Sequence, residues 1–260
     1  MNKPKKKYSI DVMDTEKSQI PLRSCMKDGT LPRFPFSIMI SGRSGSGKTM
    51  LLMNLLTKKE MYGEYFHYTI VYSPTAGSYD DTYKVLNLPE ENFIQDFGKD
   101  ELEKLIESRK ALIKKKGIAW VAKNARILIV LDDIIDNREF LESQTALKLF
   151  ALLRHYLCSI CVLVQSYTKL PRALRLNCNG VFVFPALQSE VDVIKDECTP
   201  AGISKKECEK VIGYCCEEQL SFLYINNHAK PGQRIRKNLD EIINLEEHKR
   251  LCRNIYNGLF

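Results

Sequence analysis

The chain has 260 residues, of which 44 % are hydrophobic and 27 % charged, the proportions of a globular protein able to bury one large core. It contains no run of 18 apolar residues, and its lysine-rich start, Met1 to Tyr8, has no apolar stretch behind it, so neither a membrane span nor a secretory signal is expected. The nine cysteines then read as reduced thiols in a cytosolic setting, and the net charge of +7, spread along the chain, favours a polyanionic partner only weakly.

Residues 1–33 carry Lys3, Lys5, Lys6 and Lys7, then mixed polar residues and prolines without a sustained period. They are expected to form a basic flexible arm, a solvated tail first and a contact for nucleic acid second. Phe36 to Ile40 is an apolar run of strand length, and Met50 to Leu56 reads as a helix that begins at Lys48. Between them Gly42, Arg43, Ser44, Gly45, Ser46, Gly47, Lys48 and Thr49 match the phosphate-binding pattern G-x-x-x-x-G-K-[ST]. Glycines let successive N–H groups turn inward and cradle phosphate oxygens, and the helix that follows, with Met50 in its first turn, adds its positive end. Lys48 is placed to reach the β- and γ-phosphates of ATP, and the Thr49 hydroxyl to ligate Mg²⁺.

Tyr68 to Ser73 is a second strand, β-branched and aromatic, and the polar loop Ser73 to Asp81 follows at its carboxyl end. Asp100 to Lys116 has apolar residues at helical spacing and a basic end, read first as a solvated helix terminus and second as a surface for phosphates. Ile127 to Leu131 is a continuous apolar run, as in a strand buried on both faces, and it ends in Asp132-Asp133. Two acids there fit a Walker B element, with Asp132 in the Mg²⁺ shell and Asp133 polarising the attacking water.

Thr145 to Tyr156 is helical in pattern and ends in Arg154-His155; Ile160 to Val164 is the next buried strand, closed by Gln165. A polar amide at that tip is placed to sense the γ-phosphate or orient the water, or else to cap the next turn. Pro171 to Leu176 is a short helix or turn with Arg172 and Arg175, and Val181 to Phe184 is a fifth buried strand. Glu190 to Glu197 and Ser204 to Cys216 read as two helices joined through Thr199-Pro200-Ala201-Gly202, and Ser221 to Ile225 as a late strand at the sheet edge. Asn226 to Lys237 reads as a basic loop bearing Lys230, Arg234, Arg236 and Lys237, followed by an amphipathic helix through Leu239, Ile242, Ile243, Leu245, Leu251 and Ile255. Cys158-x-x-Cys161 has metal-ligand spacing but no second pair, and buried small hydrophobes account for the cysteines better than a metal does.

The expected fold is therefore α/β: a P-loop NTPase of the RecA/ASCE type, with a mainly parallel central sheet flanked by helices and a small C-terminal extension. The expected division is an arm at 1–33, an ATPase core at 34–225, and a basic loop with a helix at 226–260.

The SGRSGSGKT loop, ILIVLDD, LLRHY and VLVQSYTKLPRALRLN together make the chain resemble the genome-packaging ATPases of large eukaryotic DNA viruses and their virophages, in the FtsK–HerA superfamily. The resemblance covers roughly Phe34 to Phe184. It implies a ring-forming homo-oligomer, a hexamer or pentamer, that uses ATP and Mg²⁺ to push double-stranded DNA into a preformed capsid, with capsid vertex proteins as partners, no membrane, and the host cytoplasm as the place of assembly. It also implies an extra strand between those of the phosphate loop and Walker B, here Ile160 to Val164. Lys48, Asp133 and Gln165 then match catalytic positions, and Asp133 departs from the glutamate of many cellular members. Arg154 is favoured over Arg175 as the arginine acting in trans. The DNA contacts implied are Arg172, Arg175, Arg234, Arg236 and Lys237. Another DNA-translocating ATPase, a small-molecule kinase on the same fold, and a nucleotide-gated module without turnover are the competing readings.

Overall fold

In the computed structural model, residues 20–74, 81–95, 99–133, 141–199, 203–230 and 232–244 are described. Among these residues nine strands form one sheet: β1 Ser37–Ser41, β2 Tyr68–Tyr72, β3 Phe93–Ile94, β4 Ile127–Asp132, β5 Cys158–Val164, β6 Gly180–Val183, β7 Leu223–Asn226, β8 Ile235–Lys237 and β9 Glu241–Ile242. Their order across the sheet is β3-β2-β4-β5-β1-β6-β7-β8-β9. Pairing is parallel from β3 through β6 and antiparallel from there to β9. The extra strand stands where it was expected, with β5 hydrogen-bonded to β4 on one side and β1 on the other.

The continuous apolar runs become the sheet's interior because both faces are covered. Every residue of β1, β4, β5 and β6 is buried. Successive residues serve opposite cores, as the period of two requires. Met39, Ile129, Leu131, Val162 and Val183 face one cluster; Ile38, Ile40, Leu128, Val130, Leu163 and Phe182 face the other.

A one-turn helix, α1 Ser24–Lys27, precedes β1, and the ten-residue helix α2 Lys48–Thr57 follows it. Leu52 and Leu55 of α2, each 1 % exposed, pack under the sheet and contribute on the order of 2 kcal/mol apiece. α3 Lys99–Lys116 and α4 Ile118–Asn124 lead into β4. α5 Gln144–Leu152 runs into a 3-10 turn, Leu153–Tyr156, which Leu157 ends with a positive φ of 56°. α6 Arg172–Arg175 lies between β5 and β6, and α7 Gln188–Cys198 and α8 Lys205–Cys215 lie between β6 and β7.

Three expectations need correction. Residues 20–33 are not a loose arm: Met26 and Leu31 are 1 % exposed, and the hydroxyls of Tyr62, Tyr65 and Tyr224 donate to the carbonyls of Pro32, Pro21 and Thr30. Residues 1–19, with the lysine cluster, lie outside the described residues. β7 is not an edge strand, because β8, drawn from the expected basic loop, pairs with it. Finally, residues 239–244 carry a turn and β9 rather than the start of a helix; Leu245, Leu251 and Ile255 lie outside the described residues, as do most of the loop after β2 and Pro200, Ala201 and Gly202.

Candidate nucleotide site

The phosphate loop is built by two left-handed glycines, Gly45 at φ 74° and Gly47 at φ 101°, which other residues adopt only at a cost. Gly42 is needed for a different reason: a Cβ there would stand 2.6 Å from that of Phe184. α2 begins at Lys48 with no side-chain cap and no acid in its first turn. Its first N–H groups are therefore left for an outside anion. The Lys48 ammonium donates to the carbonyls of Gly42 at 2.7 Å and Arg43 at 3.0 Å. Burial pulls the Lys48 pKa below its usual value, and the charges of Asp133 and Asp132 oppose the fall. Thr49 lies partly buried beside it, while Met50 is 60 % exposed on the first turn.

Register brings the other two tips to the same end. Ser41 pairs with Val164, and Asp132 with Leu163, so β1, β5 and β4 finish level with one another. Gly42 donates its amide to Val164 at 3.0 Å, and Asp133 to Leu163 at 3.3 Å. Gln165 Nε2 donates to Asp133 Oδ2 at 2.6 Å, joining the two expected catalytic tips directly. The other Asp133 oxygen, Oδ1, is buried without a hydrogen-bond partner, as is Ser46 Oγ. A buried carboxylate oxygen left open is costly unless something polar completes it. Asp133 itself sits at φ 54°, a region that Asp tolerates better than most residues. The Thr49 hydroxyl and the Asp132 carboxylate are donors of the hard-oxygen kind that suits Mg²⁺.

Several participants escaped the sequence reading. Tyr83, from the 3-10 turn Asp81–Leu86, donates its buried hydroxyl to Asp132 Oδ2 at 2.6 Å. Nothing in a local window relates two residues 49 positions apart. A cleft of about 320 Å³ opens beside the phosphate loop, between Arg43, Gly45 and Ser46 on one side and Pro185, Ala186 and Glu218 to Leu220 on the other. Glu190, three residues after Leu187 at the start of α7, is buried and accepts that residue's amide; an acid in this position is a helix-start signal that was legible.

The basic candidates divide. Arg172 and Arg234 are exposed. Arg175 is 7 % exposed and forms a paired hydrogen bond with Glu197, Nε at 2.9 Å and Nη2 at 2.6 Å. Arg236 and Lys237, each 6 % exposed, sit in β8: Arg236 donates to the Leu239 carbonyl, and Lys237 pairs with Glu217 at 2.9 Å and Glu218 at 3.1 Å. Burial withdraws these three from the expected DNA contacts, and it removes Arg175 as an alternative trans-acting arginine. Arg154 is exposed in the turn before β5, at the opposite end of that strand from Gln165. Cys158 and Cys161 are buried, with the Cys158 thiol pushed up to about 11 by burial, and among the described residues no group of His, Cys, Asp or Glu is placed to hold a metal by itself. Among them, too, no helix is long and apolar enough to cross a membrane.

The family described as "Poxvirus A32 protein" matches residues 24–245, beyond both ends of the expected resemblance. The DNA packaging protein OPG160 of vaccinia virus (strain Copenhagen) is 30 % identical over 150 residues, 56 % of this chain and 52 % of that protein. The uncharacterized protein 075L of invertebrate iridescent virus 6 is 28 % identical over 150 residues, 56 % of this chain and 53 % of that one. The chain thus spans about half the length of the curated relatives it matches. Among solved structures, B204, the DNA-packaging ATPase from Sulfolobus turreted icosahedral virus, superposes with a TM-score of 0.55 at 17 % identity, over 79 % of this chain and 98 % of that one. EssC from Geobacillus thermodenitrificans (ATPases 2 and 3) gives 0.51 at 16 % identity, over 86 % and 45 %. At such identities the likeness is one of fold, a mostly parallel sheet flanked by helices that this chain shares with these ATPases.

Proposed function

The chain belongs to the poxvirus A32 protein family, and from that premise we propose that it hydrolyses ATP to drive double-stranded viral DNA into a preformed capsid. The observation that carries the hydrolytic part is the bond from Gln165 to Asp133, which leaves Asp133 Oδ1 buried and open beside the phosphate loop. That oxygen is a general base for water. Asp133 takes a proton from the attacking water, and Gln165 holds the carboxylate and orients the nucleophile. Lys48, now on two backbone carbonyls, exchanges them for phosphate oxygens and balances the charge that gathers on the γ-phosphoryl group. Thr49 and Asp132 would hold Mg²⁺, which when bound supplies positive charge between the phosphates.

Arg154 lies a full strand away from its own site and is assigned to a neighbouring subunit's nucleotide, which makes the active form a ring of copies. Arg172 and Arg234 remain as contacts for DNA phosphates, and capsid vertex proteins as the docking partner, at a viral assembly site in the host cytoplasm.

The test is Asp133→Asn. It should keep Mg·ATP binding within about threefold and lower phosphate release, measured with no acceptor added, by 10²-fold or more. Release at the parent rate would remove Asp133 from its role. ADP formed by the parent only when a hydroxyl acceptor is supplied, with the γ-phosphoryl group carried onto that acceptor and no free phosphate released, would mean a kinase.

A further inference from the structure

The amide of Gln165 reaches Asp133 although the Gln165 side chain is itself exposed, so no packing around that side chain fixes it. Its position is inherited from the backbone that follows. That backbone is gripped by α7. Glu190, buried, accepts through Oε1 from the Ser166 hydroxyl at 2.5 Å and the Tyr167 amide at 2.6 Å, and through Oε2 from the Leu187 amide at 3.3 Å. Two turns along the same face of the helix, Glu197 accepts from the Tyr167 hydroxyl at 3.0 Å and binds Arg175, whose guanidinium lies 4.9 Å from the Tyr167 ring centre. The residue two beyond Gln165 is thus held by its amide at one end and its phenol at the other. Leu187, which completes the Glu190 carboxylate, follows directly on Pro185 and Ala186, which line the cleft beside the phosphate loop.

We propose that Glu190 is a positioning residue for hydrolysis: its carboxylate fixes Ser166 and Tyr167 so that Gln165 meets Asp133, and it ties that segment to the wall of the nucleotide cleft. The chemistry asks for an acid. Two donors converge on one oxygen and a third donor faces the other, so a glutamine would turn its own N–H₂ toward a donor. The assignment rests on the hydrolytic reading above.

The experiment is a double-mutant cycle on steady-state ATP hydrolysis by the full chain: parent, Glu190→Gln, Gln165→Ala and the two combined. The expected result is that Glu190→Gln lowers kcat about tenfold with KM for ATP within about twofold, and costs less than about twofold once Gln165 is already alanine. Ser166→Ala, which removes one donor and no acid, is expected to lower kcat by roughly threefold and to show the same dependence on Gln165. Should Glu190→Gln fail to fold, the Ser166→Ala cycle decides alone. A tenfold loss that is the same with and without Gln165, or a rise in KM with kcat unchanged, would overturn the proposal. A parent protein that binds ATP and releases no phosphate would overturn the hydrolytic reading, and this assignment with it; a parent that hydrolyses ATP with additive losses sinks the assignment alone.

Discussion

Asp132 and Asp133 are neighbours in the chain, yet their surroundings differ, as the two roles proposed for them require. Asp132 is the last residue of β4, 9 % exposed, with its Oδ2 taken by the Tyr83 hydroxyl. Asp133 has already turned out of the strand at φ 54° and meets Gln165 instead. One carboxylate is thereby oriented from below by a phenol, and the other is held from the side by an amide. A group hydrogen-bonded to a metal ligand fixes the direction of its lone pairs, and losing it commonly costs ten- to a hundredfold in metal affinity. Tyr83→Phe keeps the buried ring and deletes only that hydroxyl. It should weaken the Mg²⁺ dependence of nucleotide binding by about tenfold while leaving metal-free nucleotide binding, measured in chelator, within about twofold. Equal loss in both conditions would show that Tyr83 supports the fold of the site rather than the metal ligand.

At the scale of elements, α7 adds to the hold of Glu190 on the segment after β5 a charged pair, Glu197 with Arg175, that acid can break. Burial would raise the Glu197 carboxyl, but the hydrogen bonds and charge of Arg175, with the Tyr167 hydroxyl and the Arg172 charge, together outweigh that and hold it below the usual range. A carboxyl held low in the folded protein lends stability in full above about pH 5 and loses it as pH falls below the ordinary glutamate value of about 4.3. Glu197→Gln should therefore cost about 3 kcal/mol near neutral pH, because it leaves a buried guanidinium without its counter-charge. The gap between its denaturation midpoint and the parent's should narrow as pH drops below about 4; a gap unchanged between pH 7 and pH 3 would mean the pair is not what steadies α7. The same scale shows why some elements were legible and others were not. β1, β4, β5 and β6 are buried on both faces, so they carry unbroken apolar runs that a short window reveals. β8 has three residues, two of them charged; it is buried only because Glu217, Glu218 and the Leu239 carbonyl satisfy those charges from elsewhere. Residues 20–33 hide their few apolar side chains in a four-residue helix and turns, held by tyrosines far along the chain. The site follows the same rule. Lys48 and Thr49 open a legible helix, and Asp132, Asp133 and Gln165 stand at the ends of legible strands, whereas Tyr83 and the cleft wall at Glu218 to Leu220 join them only through the fold.

At the scale of the whole molecule, the two ends of β5 face different tasks. Gln165 closes the end that carries the phosphate loop, and Arg154 lies just before the other, about 20 Å away along seven residues. An exposed arginine there stands about a strand's length from the phosphate loop of the same chain. Lys48→Ala protein lacks the principal side-chain charge on the phosphates, and Arg154→Ala protein lacks what it would lend a neighbour; each alone should turn over ATP at least tenfold more slowly than the parent. Mixing them should restore turnover above the sum of the two, since some interfaces then pair an intact loop with an intact arginine. A mixture no better than that sum would remove Arg154 from the trans role. The insertion of β5 between β1 and β4 also bears on the order in which the protein can be made. β2 and β3 find their parallel partners within residues 68–132, and β4 one of its two, but among the described residues β1 pairs only with β5 and β6, at 158–164 and 180–183. While a growing chain has reached no further than α5, Ser37–Ser41 therefore has both of its hydrogen-bonding edges open, and all five of its residues belong in the interior. The strand that presents the phosphate loop is the one that waits longest for its neighbours during synthesis, and until residue 158 arrives it is the stretch most open to pairing with another chain.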